Sequence, residues 1–184
     1  MKRILLFIPA MVFIACGRLP EKFSTLAQGM QYVADKENGF VRDTLLPGGI
    51  GVSVKLLPAA MIQKTNSPGN QKYFSIQFSH EGHELLPAMP GDQYGAYVQL
   101  FSFGMDKYIQ ILDSSGKEYA AGMVTYQPTY GLGRSNELLA VFNEDLPADS
   151  RPTLMISEFG LGTGDLRFSF DADKLNYTPI IDQF

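Results

Sequence analysis

Residues 72–80, Lys-Tyr-Phe-Ser-Ile-Gln-Phe-Ser-His, constrain the fold of this chain more than any other stretch. Phe74, Ile76 and Phe78 alternate with Ser75, Gln77 and Ser79. Successive side chains of a strand point to opposite faces, so this run has one apolar and one polar side. A strand of that kind belongs in an antiparallel sheet with one face on a core and the other in water. Residues 49–57 repeat the pattern, with Ile50, Val52, Val54 and Leu56 on one face. Further strands are expected at 40–46, 94–103, 107–112, 117–126, 137–142, 153–159 and 165–170.

Turn signals separate these runs at short spacing. Asn66-Ser67-Pro68-Gly69-Asn70 reads as a loop or hairpin tip, and Asp113-Ser114-Ser115-Gly116 as a turn. Eighteen Gly, 11 Pro, 13 Phe and 9 Tyr fit aromatic strands joined by tight connections. The expected fold is all-β: one antiparallel β-sandwich of eight or nine strands, immunoglobulin-like or jelly-roll-like. A closed barrel with a lipid-type cavity is the architectural alternative. Strands and helices do not alternate along the chain, which argues against a Rossmann-like enzyme.

One short helix or arm is expected before the sheet. Phe23, Leu26, Ala27, Met30, Val33 and Ala34 fall at helical spacing, and residues 35–39 make a polar exit. Gly29 weakens that helix by about 1 kcal/mol. Its polar face is not basic, so packing on the domain is favoured over membrane binding. Residues 82–95, broken by Pro87, Pro90 and several glycines, form the longest irregular stretch and the expected functional loop.

The N-terminus carries a separate message. Lys2 and Arg3 precede an uncharged apolar run over residues 4–15. That is the layout of a secretory signal peptide, too short to span a bilayer, which needs about 20 residues. The run ends Phe13-Ile14-Ala15-Cys16, which resembles a bacterial lipoprotein lipobox. The resemblance implies cleavage before Cys16, lipidation of Cys16, and membrane attachment through that lipid. Gly17 follows the cysteine where Asp often marks inner-membrane retention, so the resemblance implies the outer membrane in a diderm cell. The segments are therefore a leader at 1–15, a lipidated tether and helix at 16–39, and a β-sandwich domain at 40–184.

Cys16 is the only cysteine, which leaves the mature domain without disulfide or thiol chemistry. The leader holds two of the 15 basic residues, so the mature chain has 13 against 19 acidic ones, about −6. That balance argues against nucleic acid as a partner and against electrostatic adhesion to anionic lipid.

Few residues suggest chemistry. His80 and His83, flanked by Glu81 and Glu84, form the only histidine cluster. Imidazole and carboxylate suit zinc, yet the spacing is not His-Glu-x-x-His and Gly82 disfavours the helix that would align the pair. Asp171 with Asp173, or Asp106 with Asp113, offer oxygen for a structural calcium but lack an EF-hand pattern. Gly160-Leu161-Gly162-Thr163-Gly164 is followed by a β-patterned run and not by a helix, so it reads as a hairpin connection rather than a phosphate loop. Tyr130-Gly131-Leu132-Gly133 is echoed 29 residues later by Phe159-Gly160-Leu161-Gly162, which suggests the same kind of turn entering a strand. Tyr94, Tyr97, Tyr126 and Tyr130 offer stacking faces, although strand tyrosines are mostly packing.

The expected function is a non-catalytic binding or structural module, lipid-anchored in the envelope and associated with another envelope protein. Two alternatives belong to other classes. One is an envelope hydrolase using His80, His83 or loop carboxylates. The other is a small-ligand or glycan binder using the 82–95 loop and the tyrosines.

Overall fold

The computed structural model describes residues 18–143, 146 and 151–184. In chain order the elements are β1 (Lys22–Phe23), α1 (Leu26–Ala34), β2 (Val41–Leu45), β3 (Ile50–Leu57), α2 (Ala59–Ile62), β4 (Lys72–His80), β5 (His83–Glu84), α3 (Gly91–Phe103), β6 (Ile109–Leu112), β7 (Glu118–Ala120), β8 (Met123–Gln127), β9 (Asn136–Phe142), β10 (Thr153–Ile156), β11 (Leu166–Ser169), α4 (Ala172–Leu175) and β12 (Ile180–Ile181). The protein is mostly β, with two antiparallel sheets, but the helices mean that it is not all-β.

The larger sheet runs β2-β3-β4-β9-β8, with β5 folded back on β4. The smaller sheet runs β11-β10-β6-β7. The alternation of residues 72–80 sets the register: Phe74, Ile76 and Phe78 lie opposite Leu56, Val54 and Val52 on β3, and opposite Ala140, Leu138 and Asn136 on β9. Every one of these is buried. The inner faces of both sheets supply one core. Phe74 meets Phe142 and Phe170 at ring distances of 5.7 and 5.6 Å, and Phe78 meets Phe101 and Phe159 at 5.5 and 5.6 Å.

Residues 94–103 are a helix and not the expected strand. Tyr97, Gln99, Phe101 and Phe103 mimic a two-residue period. Helical spacing instead brings Tyr97, Val98 and Phe101 to one side, and Phe101 is 1 % exposed among Phe78, Tyr126 and Phe159. Core packing of that ring overrides the local pattern. The helix also takes over the end of the expected irregular loop at 82–95, whose start forms β5.

The run 117–126 is likewise two strands. β7 belongs to the smaller sheet and β8 to the larger, so the chain changes layer at Ala121-Gly122. At the opposite side of the sheets, Arg42 on β2 closes the gap. Its Nε donates to the Ser169 carbonyl of β11 at 3.1 Å, and its guanidinium lies 5.3 Å from the centre of the Phe170 ring.

The expected N-terminal helix is α1, capped by Thr25, whose hydroxyl accepts from the Gln28 N–H at 3.3 Å. Gly29 has a packing reason: a Cβ there would stand 2.6 Å from Met61 Cε, so glycine lets α1 lie against α2. Val33 on α1 and Phe23 on β1 join the main core, and β1 pairs in parallel with β12. From Lys22 onward the N-terminal segment is bound to the body of the domain.

Candidate functional site

A buried carboxylate organises one end of the protein. Glu84 on β5 is 4 % exposed. Its oxygens accept from Thr129 Oγ1 at 2.6 Å, Gly133 N at 2.6 Å, Gly131 N at 3.0 Å and Asn136 Nδ2 at 3.1 Å. Asn136, fully buried at the start of β9, also donates to the Tyr126 hydroxyl at 3.1 Å and accepts from the Leu86 N–H at 2.8 Å. Burial alone would raise the Glu84 pKa; the four hydrogen bonds outweigh it and hold the group below the usual carboxylate range.

The glycines explain how the turn folds around this charge. Gly131 has φ +83°, a region open to glycine at little cost. Gly133 has no room for a side chain, because a Cβ would stand 2.9 Å from both Glu84 Oε1 and Thr129 Oγ1. Amides that point inward to Glu84 leave the neighbouring side chains pointing out. Tyr130 is 84 % exposed and Leu132 92 % exposed. Tyr130 itself is left-handed, with φ +51°. A non-glycine residue held in that region stores strain of about 1–3 kcal/mol, which the network beneath offsets.

Helix α3 and strand β8 extend this surface. Tyr94 and Tyr130 wall a cleft of about 440 Å³ whose floor includes Pro87 and Met89. A second cleft of about 420 Å³ lies between α3 and β8, with Phe103, Val124, Tyr126 and Tyr130 on its sides. Phe103 is 84 % exposed. The tyrosines singled out in the sequence thus divide by role. Tyr94 and Tyr130 reach the surface, Tyr126 joins the buried network, and the Tyr97 hydroxyl donates to the Gly160 carbonyl at 2.7 Å.

The echoed glycine turns have the same physical content. The Glu158 carboxylate accepts from the amides of Gly160, Gly162 and Gly164 at 2.6, 3.1 and 2.6 Å. Burial opposes the charge, but these amides hold its pKa down to about 2. Residues 160–164 therefore connect antiparallel strands β10 and β11 while wrapping the partly exposed carboxylate of Glu158. Both Gly-Leu-Gly turns are backbone nests for a glutamate.

His80 and His83 face each other across the β4–β5 hairpin. Glu84, their neighbour in sequence, turns inward to its own network. Among the described residues no group of three or more His, Cys, Asp and Glu side chains converges to hold a metal. The aspartates considered for calcium are dispersed. Asp113 caps its own turn through Ser115 and Lys117, Asp171 pairs with Arg151 at 3.5 Å, and Asp173 with Lys174 at 3.3 Å. Cys16 and the lipobox lie outside the described residues. No described helix is long and apolar enough to cross a membrane.

The role of Glu84 was not legible in the sequence, because its partners stand 45 to 52 positions away. The repeated Gly-Leu-Gly turn was the available signal, since glycines at alternate positions free two amides to point the same way.

No protein-family model matches the chain, and no curated protein matches it. Two solved structures are similar. One is a DUF4426 family protein from Pseudomonas aeruginosa, with a TM-score of 0.41 and 12 % identity over 71 % of this chain and 93 % of that one. The other is a novel protein of unknown function from Burkholderia pseudomallei, with a TM-score of 0.43 and 9 % identity over 82 % of this chain and 91 % of that one.

Proposed function

We propose that this protein is a lipid-anchored module of the cell envelope that binds another envelope protein and performs no chemistry of its own. The lipobox-like leader ending at Cys16 supports the anchoring, with the outer membrane as its place in a diderm cell. The two antiparallel sheets, which share one core, are read as the layers of a β-sandwich. One observation carries the binding role: Tyr130 and Leu132 stand almost fully exposed on a turn that a buried glutamate holds rigid from below. Exposed apolar clusters on a folded domain mark interaction surfaces. Rigid aromatic anchors are efficient there because little conformational entropy remains to be lost on binding.

The experiment is affinity capture with the full chain as bait. A specific envelope protein should be retained by the wild type and lost with Tyr130→Ser/Leu132→Ser, while far-ultraviolet circular dichroism of the bait stays unchanged. Identical capture by both baits would sink this reading of the surface.

A further inference from the structure

β8 is, among the described residues, an end strand of the larger sheet, with β9 as its one neighbour. Among the described residues, no backbone group of 123–127 hydrogen-bonds outside that pairing. The strand reads Met-Val-Thr-Tyr-Gln, without charge or proline. Edge strands are normally blunted by charged residues, proline, bulges or a covering segment. The opposite edge follows that rule: β2 carries Arg42 and Asp43, and Arg42 ties it to β11. Among the described residues β8 carries no charge or proline of its own, although Pro128 directly follows it and α3 packs beside it.

The described surroundings of β8 carry few charges: Asp106 and Lys107 lie in the turn packed against it, and Glu137 on β9 stands opposite Gln127. Helix α3 runs beside it in the opposite direction: Tyr94, near the helix start, shares a cleft with Tyr130, beyond the C-terminal end of β8. The groove between the two elements has Phe103, Val98, Val124, Tyr126 and Tyr130 on its walls. The one charged residue of α3 is Asp92, in its first turn.

We propose that the protein filling this edge is a second copy of the same chain, paired β8 to β8 in antiparallel fashion about a two-fold axis. This rests on the reading above that the α3–β8 surface is a contact surface, with a second copy in place of a different envelope protein as its occupant. Three features favour self-pairing. First, the strand is self-complementary. With Thr125 opposite the partner copy's own Thr125, Val124 meets Tyr126 and Met123 meets Gln127, so no like charges oppose each other and aromatic and β-branched residues pair. Second, the mature chain carries about −6, so two copies approach most readily through a face where charges are few. A basic partner would instead select for a dense acidic face, and the acidic groups near β8 are few: Asp92, Asp106 and Glu137.

Third, the area is adequate. Aromatic side chains bury about 150–250 Å² each, so Phe103 and Tyr130 (both 84 % exposed) and Tyr94 (44 % exposed) together offer roughly 400 Å² per copy. A standard interface needs about 800 Å² per partner, and Leu132, Met123 and the β8 backbone supply the remainder. The antiparallel arrangement brings the Phe103 end of one groove to the Tyr130 end of the other. The larger sheets of the two copies then become one continuous sheet.

The test is sedimentation equilibrium on the full chain in density-matched detergent, from about 1 to 100 µM. The wild type should dimerise. Thr125→Lys, which sets two ammonium groups at the axis, should weaken association at least about tenfold, with the melting curve unchanged at concentrations where the wild type is monomeric. In a Cys16→Ser background, Thr125→Cys should form an intermolecular disulfide on mild oxidation, and Asp43→Cys on the far edge should not. A wild type that stays monomeric, or a dimer indifferent to Thr125→Lys that gives no disulfide through Thr125→Cys, overturns the proposal. Capture of an envelope protein that depends on Tyr130 and Leu132, without dimerisation, would remove self-pairing and leave the binding function standing. Dimerisation without capture would do the reverse.

Discussion

Gly133 approaches the buried carboxylate of Glu84 so closely that its amide donates at 2.6 Å and a Cβ in its place would stand 2.9 Å from Oε1. Two residues 49 positions apart in sequence thereby fix the shape of the exposed Tyr130 turn.

Gly133→Ala should therefore destabilise the protein by about 1–3 kcal/mol, the usual range for overpacking a tight site. Urea denaturation should register this as a lower midpoint at unchanged slope. An alanine at Gly69, whose nearest atom beyond its chain neighbours is 3.9 Å away and whose φ is not positive, should be nearly neutral.

Glu84→Ala leaves the Gly131 and Gly133 amides and the Thr129 hydroxyl without their acceptor. The expected loss is about 2–4 kcal/mol, since a buried donor left unpaired costs about 1–3 kcal/mol. Amide exchange at Gly131 and Gly133 should accelerate more than exchange in the centre of β4. Equal acceleration everywhere would mean that Glu84 supports the whole fold and not this turn.

Acid stability has a defined sign. Glu84 and Glu158 both have depressed folded-state pKa values, Glu158 at about 2. Each unfolded carboxyl takes up its proton near the ordinary value of 4.5, above the folded one. The stabilisation is thus complete at neutral pH and is lost as pH falls from about 4.5 toward 2. Urea midpoints should be flat above that window and fall within it, and Glu158→Gln should make the fall shallower.

Phe101→Ala should cost about 3–5 kcal/mol, the range for deleting a fully buried aromatic. The loss should appear in thermal melts. Substitution of Phe103, two positions away and exposed, should leave the melting temperature of the monomer, measured at low concentration, within a degree or two, because truncating an exposed side chain opens no cavity. Equal effects would argue for the strand alternation that the local sequence suggests.

Cys16→Ser should abolish labelling by a radioactive fatty acid and release the protein from the membrane fraction into the soluble one. Retention of label and of membrane association would refute lipid anchoring.

The sequence alone determined the strands with clear alternation and the turns between them. Residues 72–80 became β4 without a change of boundary, because a two-residue period and flanking turn signals are local properties of the chain. The Gly-Leu-Gly echo was legible for the same reason. Tertiary structure alone decided the rest. Residues 94–103 became helical because Phe101 finds its partners on β4, β8 and the segment after β10, none of them visible in a window around it. Glu84 lay beside two histidines in sequence and suggested metal chemistry, yet folding delivered it to a nest of amides more than 40 residues away. A buried charge is stable only where several distant donors converge, and that convergence is a property of the packed molecule.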